Sequence, residues 1–272
     1  MIIAQITDTH IKANGRLAYR RVDSAARLRD CIAHLNGLAQ QPDVALVTGD
    51  ICDFGKPEEY EVAREILDAL AMPYHVIPGN HDDCPAFRAA FQDHHYLPDD
   101  GFLHYVLEDY PVRLIGLDTT VHGKPYGELC RERLDWLGQR LDEQPDRLTL
   151  IFMHHPPFLT GIEHMDVQNC RNGQALGALI ERHPQVQRII CGHVHRAIEL
   201  TWHGCTASIG PSPSHSVALD LDPAGDPAFV LEPPSCQLIH LSSEGYLVGH
   251  VSFVGRYDGP HPFFTSDGRL ID

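Results

Sequence analysis

Short apolar runs alternate along the chain with longer stretches in which apolar residues recur every three or four positions. The runs at residues 2–7, 43–48, 74–78, 102–107, 113–118, 148–153 and 187–191 have the length of buried strands. Between the first runs, Val22, Ala25, Ala26, Ile32, Leu35 and Leu38 share one face of a helix. Residues 57–70 repeat the pattern with Tyr60, Ala63, Ile66, Leu67 and Leu70, with Pro57 at the start and Glu58 and Glu59 in the first turn. Further helices are predicted at residues 85–91, along Leu134, Leu137 and Leu141 with Trp136 in the core, and at residues 175–180. Strand and helix alternating in this way predict an α/β fold with a largely parallel sheet. Residues 200–215 read as strand and loop. From about residue 217 the helical period gives way to short apolar and Pro-rich stretches, which predicts an appended β-rich segment that caps a site or forms a subunit contact.

The polar residues matter most where the runs stop. Gly79-Asn80-His81-Asp82-Asp83 follows one strand, and similar clusters follow others: Asp8-Thr9-His10, Gly49-Asp50-Ile51-Cys52-Asp53, His154-His155 and Gly192-His193-Val194-His195. The carboxyl ends of strands are where open α/β sheets place their chemistry. Any one cluster reads equally well as a turn with a capping Asp or a solvated His, but five of them are hard to explain by packing. Asp8, His10, Asp50, Asn80, His154, His193 and His195 together offer hard oxygen and imidazole donors without thiolate. That set suits two adjacent divalent or trivalent first-row ions such as Fe, Mn, Zn or Co. With Asp50 as the bridge the ions would lie about 3.5–4 Å apart, the spacing used for in-line displacement at phosphorus, with a hydroxide between them as nucleophile.

Composition narrows the substrate. The chain has 272 residues, 43% of them hydrophobic, enough for a large core, and a formal charge of −16 from 21 Lys+Arg against 37 Asp+Glu. An extended nucleic acid would be repelled, whereas a small anion drawn by bound cations would not. The nineteen His form no tract, and the eight Cys form no C-x-x-C pair, so they read as reduced and mostly buried. The first residues lack a basic flank and a long apolar stretch, which predicts a cytoplasmic protein without membrane attachment.

In order, D-x-H, G-D-x-x-D, G-N-H-D, H-H after an apolar strand and G-H-x-H resemble the calcineurin-like metallophosphoesterase superfamily over residues 1 to about 200. Gly55-Lys56-Pro57-Glu58-Glu59-Tyr60, His154-His155-Pro156-Pro157, Met165-Asp166 and Asn172-Gly173 resemble its bacterial branch of glycerophosphodiesterases and class III 3′,5′-cyclic nucleotide phosphodiesterases. The resemblance implies a four-layer αββα sandwich at residues 1–216, with residues 217–272 as a cap or oligomerisation segment. It implies one metal on Asp8, His10, Asp50 and His195, and another on Asp50, Asn80, His154 and His193. Asn80 and His81 would meet the substrate, with His81 as an acid oriented by Asp53; His155 would turn away into a supporting role. His215 reads either as a surface residue or, by likeness to the glycerophosphodiesterases, as a contact to the substrate phosphate. Tyr19, on a loop, reads as a substrate contact or as surface packing. Phe54 stands where the protein phosphatases carry Arg, which argues against phosphoprotein hydrolysis. The implied activity is hydrolysis of a cyclic nucleotide or glycerophosphodiester, with self-association through the C-terminal segment. A phosphomonoesterase or nuclease on the same fold and a non-catalytic metal-binding scaffold are the rivals.

Overall fold

The computed structural model describes residues 1–271. Strands β1 (Ile2–Ile6), β2 (Val44–Thr48) and β3 (Tyr74–Ile77) run parallel, connected through helices α1 (Ser24–Asn36) and α2 (Pro57–Leu67). After α3 (Cys84–Ala90) come β4 (Tyr105–Leu107), β5 (Arg113–Leu117), α4 (Arg131–Glu143), β6 (Thr149–Met153), α5 (Glu163–Asp166) and α6 (Gly173–Ile180). Strands β7 (Val186–Cys191), β8 (Ile198–Trp202) and β9 (Cys205–Ile209) complete a second sheet in the order β4-β5-β6-β7-β9-β8. Its strands β5, β6, β7 and β9 are parallel. Next, β10 (Ser216–Val217) and β11 (Phe229–Val230) form a two-stranded ribbon, and β12 (Ser235–Leu241) and β13 (Leu247–Phe253) close the chain.

Strands β2 and β6 are buried at every position and almost wholly apolar, because each has two covered faces. On β2, Ala45 and Val47 join the core under α1 and α2, while Val44 and Leu46 join a core between the sheets. On β6, Leu150 and Phe152 meet that middle core, and Ile151 and Met153 face the layer with α4 and α6. Three cores between four layers are the αββα sandwich that the resemblance implies. The strand ends therefore stand on a rigid base, because each buried Phe or Ile contributes about 1.5–3 kcal/mol.

Residues 217–271 hold strands and no helix, as the texture predicts, but these strands do not stand apart. Strand β12 pairs antiparallel with β1 from Ile2↔His240 to Gln5↔Gln237, so the first sheet has the order β13-β12-β1-β2-β3. Among the described residues of this segment, those of the β10–β11 ribbon, Val217 and Phe229, reach the cavity at the strand ends. Two other expectations change. The strand predicted at residues 102–107 starts at Tyr105, because the Leu103 N–H donates to the Asp118 carboxylate instead of a ladder partner. The helix predicted at 57–70 stops at Leu67. The eight cysteines are free, six of them buried, and no described helix is long and apolar enough to cross a membrane.

Candidate metal centre

The loops after β1 and β2 are zipped together by the Asp8 N–H to Gly49 carbonyl, His10 to Asp50 and Ile11 to Ile51 hydrogen bonds at 2.9–3.1 Å. The Asp82 carboxylate ties in the loop after β3 by accepting from the Gly79, Ile51 and Cys52 N–H groups and the Tyr60 hydroxyl. Glu59 does the same for the turn after Asp53, accepting from the Phe54 and Lys56 N–H groups. Five of the seven candidate ligands, Asp8, His10, Asp50, His193 and His195, have left-handed backbones with φ between 45° and 75°. Such residues cost about 1–3 kcal/mol each and persist only where neighbours over-determine them. Two glycines make room for this crowding: a methyl on Gly79 would fall on the Asp50 carboxylate, and one on Gly192 would fall on the Thr7 hydroxyl beside Asp8.

Potential ligand atoms of Asp8, His10 and His195 lie within 4.8 Å of one another, as do those of Asp8, Asp50 and His154. Asp50 Oδ2 stands between the groups, 3.7 Å from His10 Nε2 and 3.3 Å from His154 Nε2. Asn80 Oδ1 is 3.2 Å from the same His154 nitrogen. The imidazoles share one arrangement. His154 Nδ1 donates to the Thr48 carbonyl at 2.8 Å, His195 Nδ1 to the His215 carbonyl at 3.2 Å, and His10 Nδ1 to the Asp53 carboxylate at 3.1 Å. Each acceptor fixes the tautomer and leaves the Nε2 lone pair for a cation. His193 Nε2 is buried with no hydrogen-bond partner among the described residues. An orphaned nitrogen, two buried carboxylates and three tautomer-fixed rings facing one space fit two metal ions.

Without a cation the buried charges pull in different directions. Burial pushes the Asp8 carboxyl up to about 6. For Asp50 burial acts the same way, but His154 and His81 outweigh it and hold the carboxyl well below the usual range. Burial lowers His193 to about 3 and His195 well below its ordinary value, keeping both as neutral donors.

The second-sphere expectations fare unevenly. Asp53 does not hold His81 through its side chain: His81 Nδ1 donates to the Asp53 backbone carbonyl at 2.8 Å, and the nearest Asp53 carboxylate oxygen is 3.9 Å away. The carboxylate is occupied by His10 and by Lys12 Nζ at 2.7 Å. Burial opposes its ionisation, yet these two partners hold it at about 2. His155 does not turn away. It is fully buried, its ring centroid is 4.7 Å from that of His154 and 4.8 Å from that of His193, and Nδ1 is 2.7 Å from the Thr119 hydroxyl. His215 is buried against His195, with ring centroids 4.4 Å apart, and Tyr19 meets it edge-on at 5.2 Å. Phe54 is 63% exposed, with Lys12 Nζ 3.7 Å above its ring.

Five of the candidate ligands, His10, Asp50, Asn80, His193 and His195, line a cavity of about 370 Å³ together with Tyr19, His81 and His215. Its lining is completed by His164, Met165 and Gln168, by Val217 and Phe229 of the ribbon, and by Pro227 and Ala228 leading into it. No described lining residue is Lys or Arg. Sequence reasoning missed Lys12, Asp82, Met165, Gln168 and Phe229. Only Asp82 and Met165 stood within motifs, and no spacing marks the others.

The chain is 45% identical over 273 residues to the probable glycerophosphodiester phosphodiesterase GpdQ of Arcobacter nitrofigilis, covering 100% of both chains. It is 31% identical to the 3′,5′-cyclic adenosine monophosphate phosphodiesterase CpdA of Escherichia coli over 77% of this chain and 75% of that one. A dimetal phosphatase from Danio rerio shares the fold with a TM-score of 0.63 at 14% identity, over 94% of this chain and 99% of that one. Residues 1–197, which carry all seven candidate ligands, match the calcineurin-like phosphoesterase family, and the chain belongs to it as a metal-dependent phosphoester hydrolase.

Proposed function

We propose that this protein is a phosphodiesterase that hydrolyses a small glycerophosphodiester with two bound metal ions drawn from Fe, Mn, Zn and Co. One ion is assigned to Asp8, His10, Asp50 and His195, and the other to Asp50, Asn80, His154 and His193. The observation that carries the reading is a double cluster of carboxylates and tautomer-fixed imidazoles opening into a small cavity without a Lys or Arg in its described lining. A diester needs one negative charge met at phosphorus, whereas a monoester's second charge calls for a further cationic partner. Lys12, which reaches the edge of the cluster, is already paired with Asp53. The likeness to the probable GpdQ of Arcobacter nitrofigilis runs the whole length of both chains at 45% identity, including the ribbon that walls the cavity, and supports a glyceryl substrate.

Bound at these ligands, the ions supply Lewis acidity at the phosphoryl oxygens and an activated water. The chain's own groups do the rest. His10, His154 and His195 are fixed as Nε2 donors by their Nδ1 partners. His81, held through Nδ1, keeps Nε2 for the leaving oxygen and serves as general acid. His215 and Tyr19 close the phosphate side of the cavity as substrate contacts. Cyclic nucleotides form the second reading, because the Tyr19 and Phe229 rings, 5.0 Å apart at the rim, present a surface on which a base can stack.

Steady-state kinetics of the metal-reconstituted protein test the proposal. The order expected in kcat/KM is glycerophosphoethanolamine above cyclic AMP, and bis(p-nitrophenyl) phosphate above p-nitrophenyl phosphate. Faster turnover of the monoester would overturn the diesterase reading, and faster turnover of cyclic AMP would replace the glycerophosphodiester with the second reading.

A further inference from the structure

Two motifs, Met165-Asp166 and Asn172-Gly173, take no part in the metal cluster, yet the first lies within, and the second directly after, a loop that starts two residues after the candidate ligand His154. The Cys170 N–H donates to the Pro156 carbonyl at 2.9 Å, so residues 156–170 leave and re-enter the fold at one point. Phe158, Ile162 and Cys170 anchor the loop in the core beneath α4 and α6. In its middle the Asp166 carboxylate accepts from the Thr160 N–H at 2.7 Å, the Thr160 hydroxyl at 2.8 Å and the Gly161 N–H at 2.8 Å. Asn169 Nδ2 adds a bond to the Phe158 carbonyl at 2.6 Å. Just beyond, Asn172 sits in a left-handed conformation with Nδ2 donating to the Leu129 carbonyl, and Gly173 lies so close to the Pro157 carbonyl that a side chain would collide with it.

A loop closed at its ends and buckled at its centre has one shape, and this one turns His164, Met165 and Gln168 into the wall of the cavity. Gln168 Nε2 donates to the His164 carbonyl at 2.8 Å. A carbonyl can only accept, so the orientation of the amide is set and Oε1 is the atom left to accept from a ligand. The wall thus offers a thioether, an amide oxygen and an imidazole, with no carboxylate, ammonium or guanidinium among these three residues. Such a surface suits a short chain bearing hydroxyls; a carboxylate would find no cation there.

We propose that residues 156–170 are the element that recognises the alcohol carried by the phosphodiester. Met165 covers its carbon chain, Gln168 Oε1 and His164 accept from its hydroxyls, and Asp166 is a positioning residue that sets the loop. The inference rests on the phosphodiesterase reading above and deepens it to a polyol ester.

The test compares Gln168→Ala and Asp166→Asn with the wild-type protein, each loaded with Mn and assayed for bound metal. Glycerophosphoethanolamine serves as the polyol diester and bis(p-nitrophenyl) phosphate as a diester without hydroxyls. Loss of one neutral hydrogen bond predicts a KM raised about five- to tenfold for the glyceryl diester in Gln168→Ala. Metal content should be unchanged, and the aromatic diester should stay within about twofold. Asp166→Asn, which turns an N–H₂ towards backbone donors, should shift the same ratio further. Equal losses on both substrates, or an unchanged KM in Gln168→Ala, overturn the proposal. A wild-type protein that ignores glycerophosphoethanolamine but cleaves cyclic AMP overturns the glyceryl reading alone. The same variants on cyclic AMP then decide the loop, supported by a raised KM and overturned by an unchanged one.

Discussion

His81 is tied to the metal loops twice: its backbone N–H donates to Asp50 Oδ1 at 2.8 Å and its Nδ1 to the Asp53 carbonyl. Neither tie uses Nε2, and neither removes a ligand from the clusters of Asp8, Asp50, His10, His154 and His195. His81→Ala is therefore expected to retain its metal and to lose about 10²–10⁴-fold on glycerophosphoethanolamine, whose alkoxide needs a proton, with a far smaller loss on bis(p-nitrophenyl) phosphate. Equal losses with depleted metal would assign His81 to bracing the loop alone. Asp53 now parts company with His81. Because its carboxylate orients the His10 ring and is held in turn by Lys12, Asp53→Asn should weaken metal binding about 10–100-fold, read by titration of the apoprotein with Mn. A normal metal affinity with a His81-like substrate bias would restore the role expected from the sequence.

At the scale of elements, the site is a set of strand-end turns pressed into one another. The Gly-Asp, Gly-Asn and Gly-His pairs are visible as letters, but the reason for their glycines lies across the sheet. Gly192, after β7, touches Thr7 and Asp8, after β1. Gly192→Ala should force these turns apart, with an overpacking cost of about 1–3 kcal/mol and loss of bound metal. Thermal unfolding and metal analysis check it: a variant with wild-type Tm and full metal content would show that the turns can give way. A control, Gly204→Ala, lies where an added methyl meets nothing within 4 Å, so only its own positive φ is strained. The helices, by contrast, were legible from their period alone. α1 buries Leu28, Cys31, Ile32 and Leu35, with the Asp23 side chain accepting from the Ala26 N–H at its start.

For the whole molecule, the ligands divide between the sheets. Asp8, His10, Asp50 and Asn80 follow strands of the first sheet, and His154, His193 and His195 follow β6 and β7 of the second. A cation held by both groups would clamp the two halves of the sandwich. Because the unfolded chain lacks such a site, saturating metal at about a thousand times Kd adds about 4 kcal/mol of stability. Chelation should therefore lower Tm by about 2–4 °C per kcal/mol lost, with recovery on adding Mn or Zn. Asp50→Ala should abolish that dependence, and a Tm indifferent to chelator would argue against the clamp.

The order of the first strands and helices, the burial of the strands and the choice of the seven candidate donors follow from the sequence, because each is written in local period or in residue chemistry. The role of the last strands does not. β12 joins β1 across more than 230 residues of chain, and no local pattern encodes which edge a strand will find. The same limit explains the errors around the site. Whether Asp53 reaches His81 or His10, whether His155 faces outward or lies against His154 and His193, and whether Met165 and Gln168 wall the cavity depend on how separate loops meet. Only packing brings those loops within hydrogen-bond distance, so only the tertiary structure decides them.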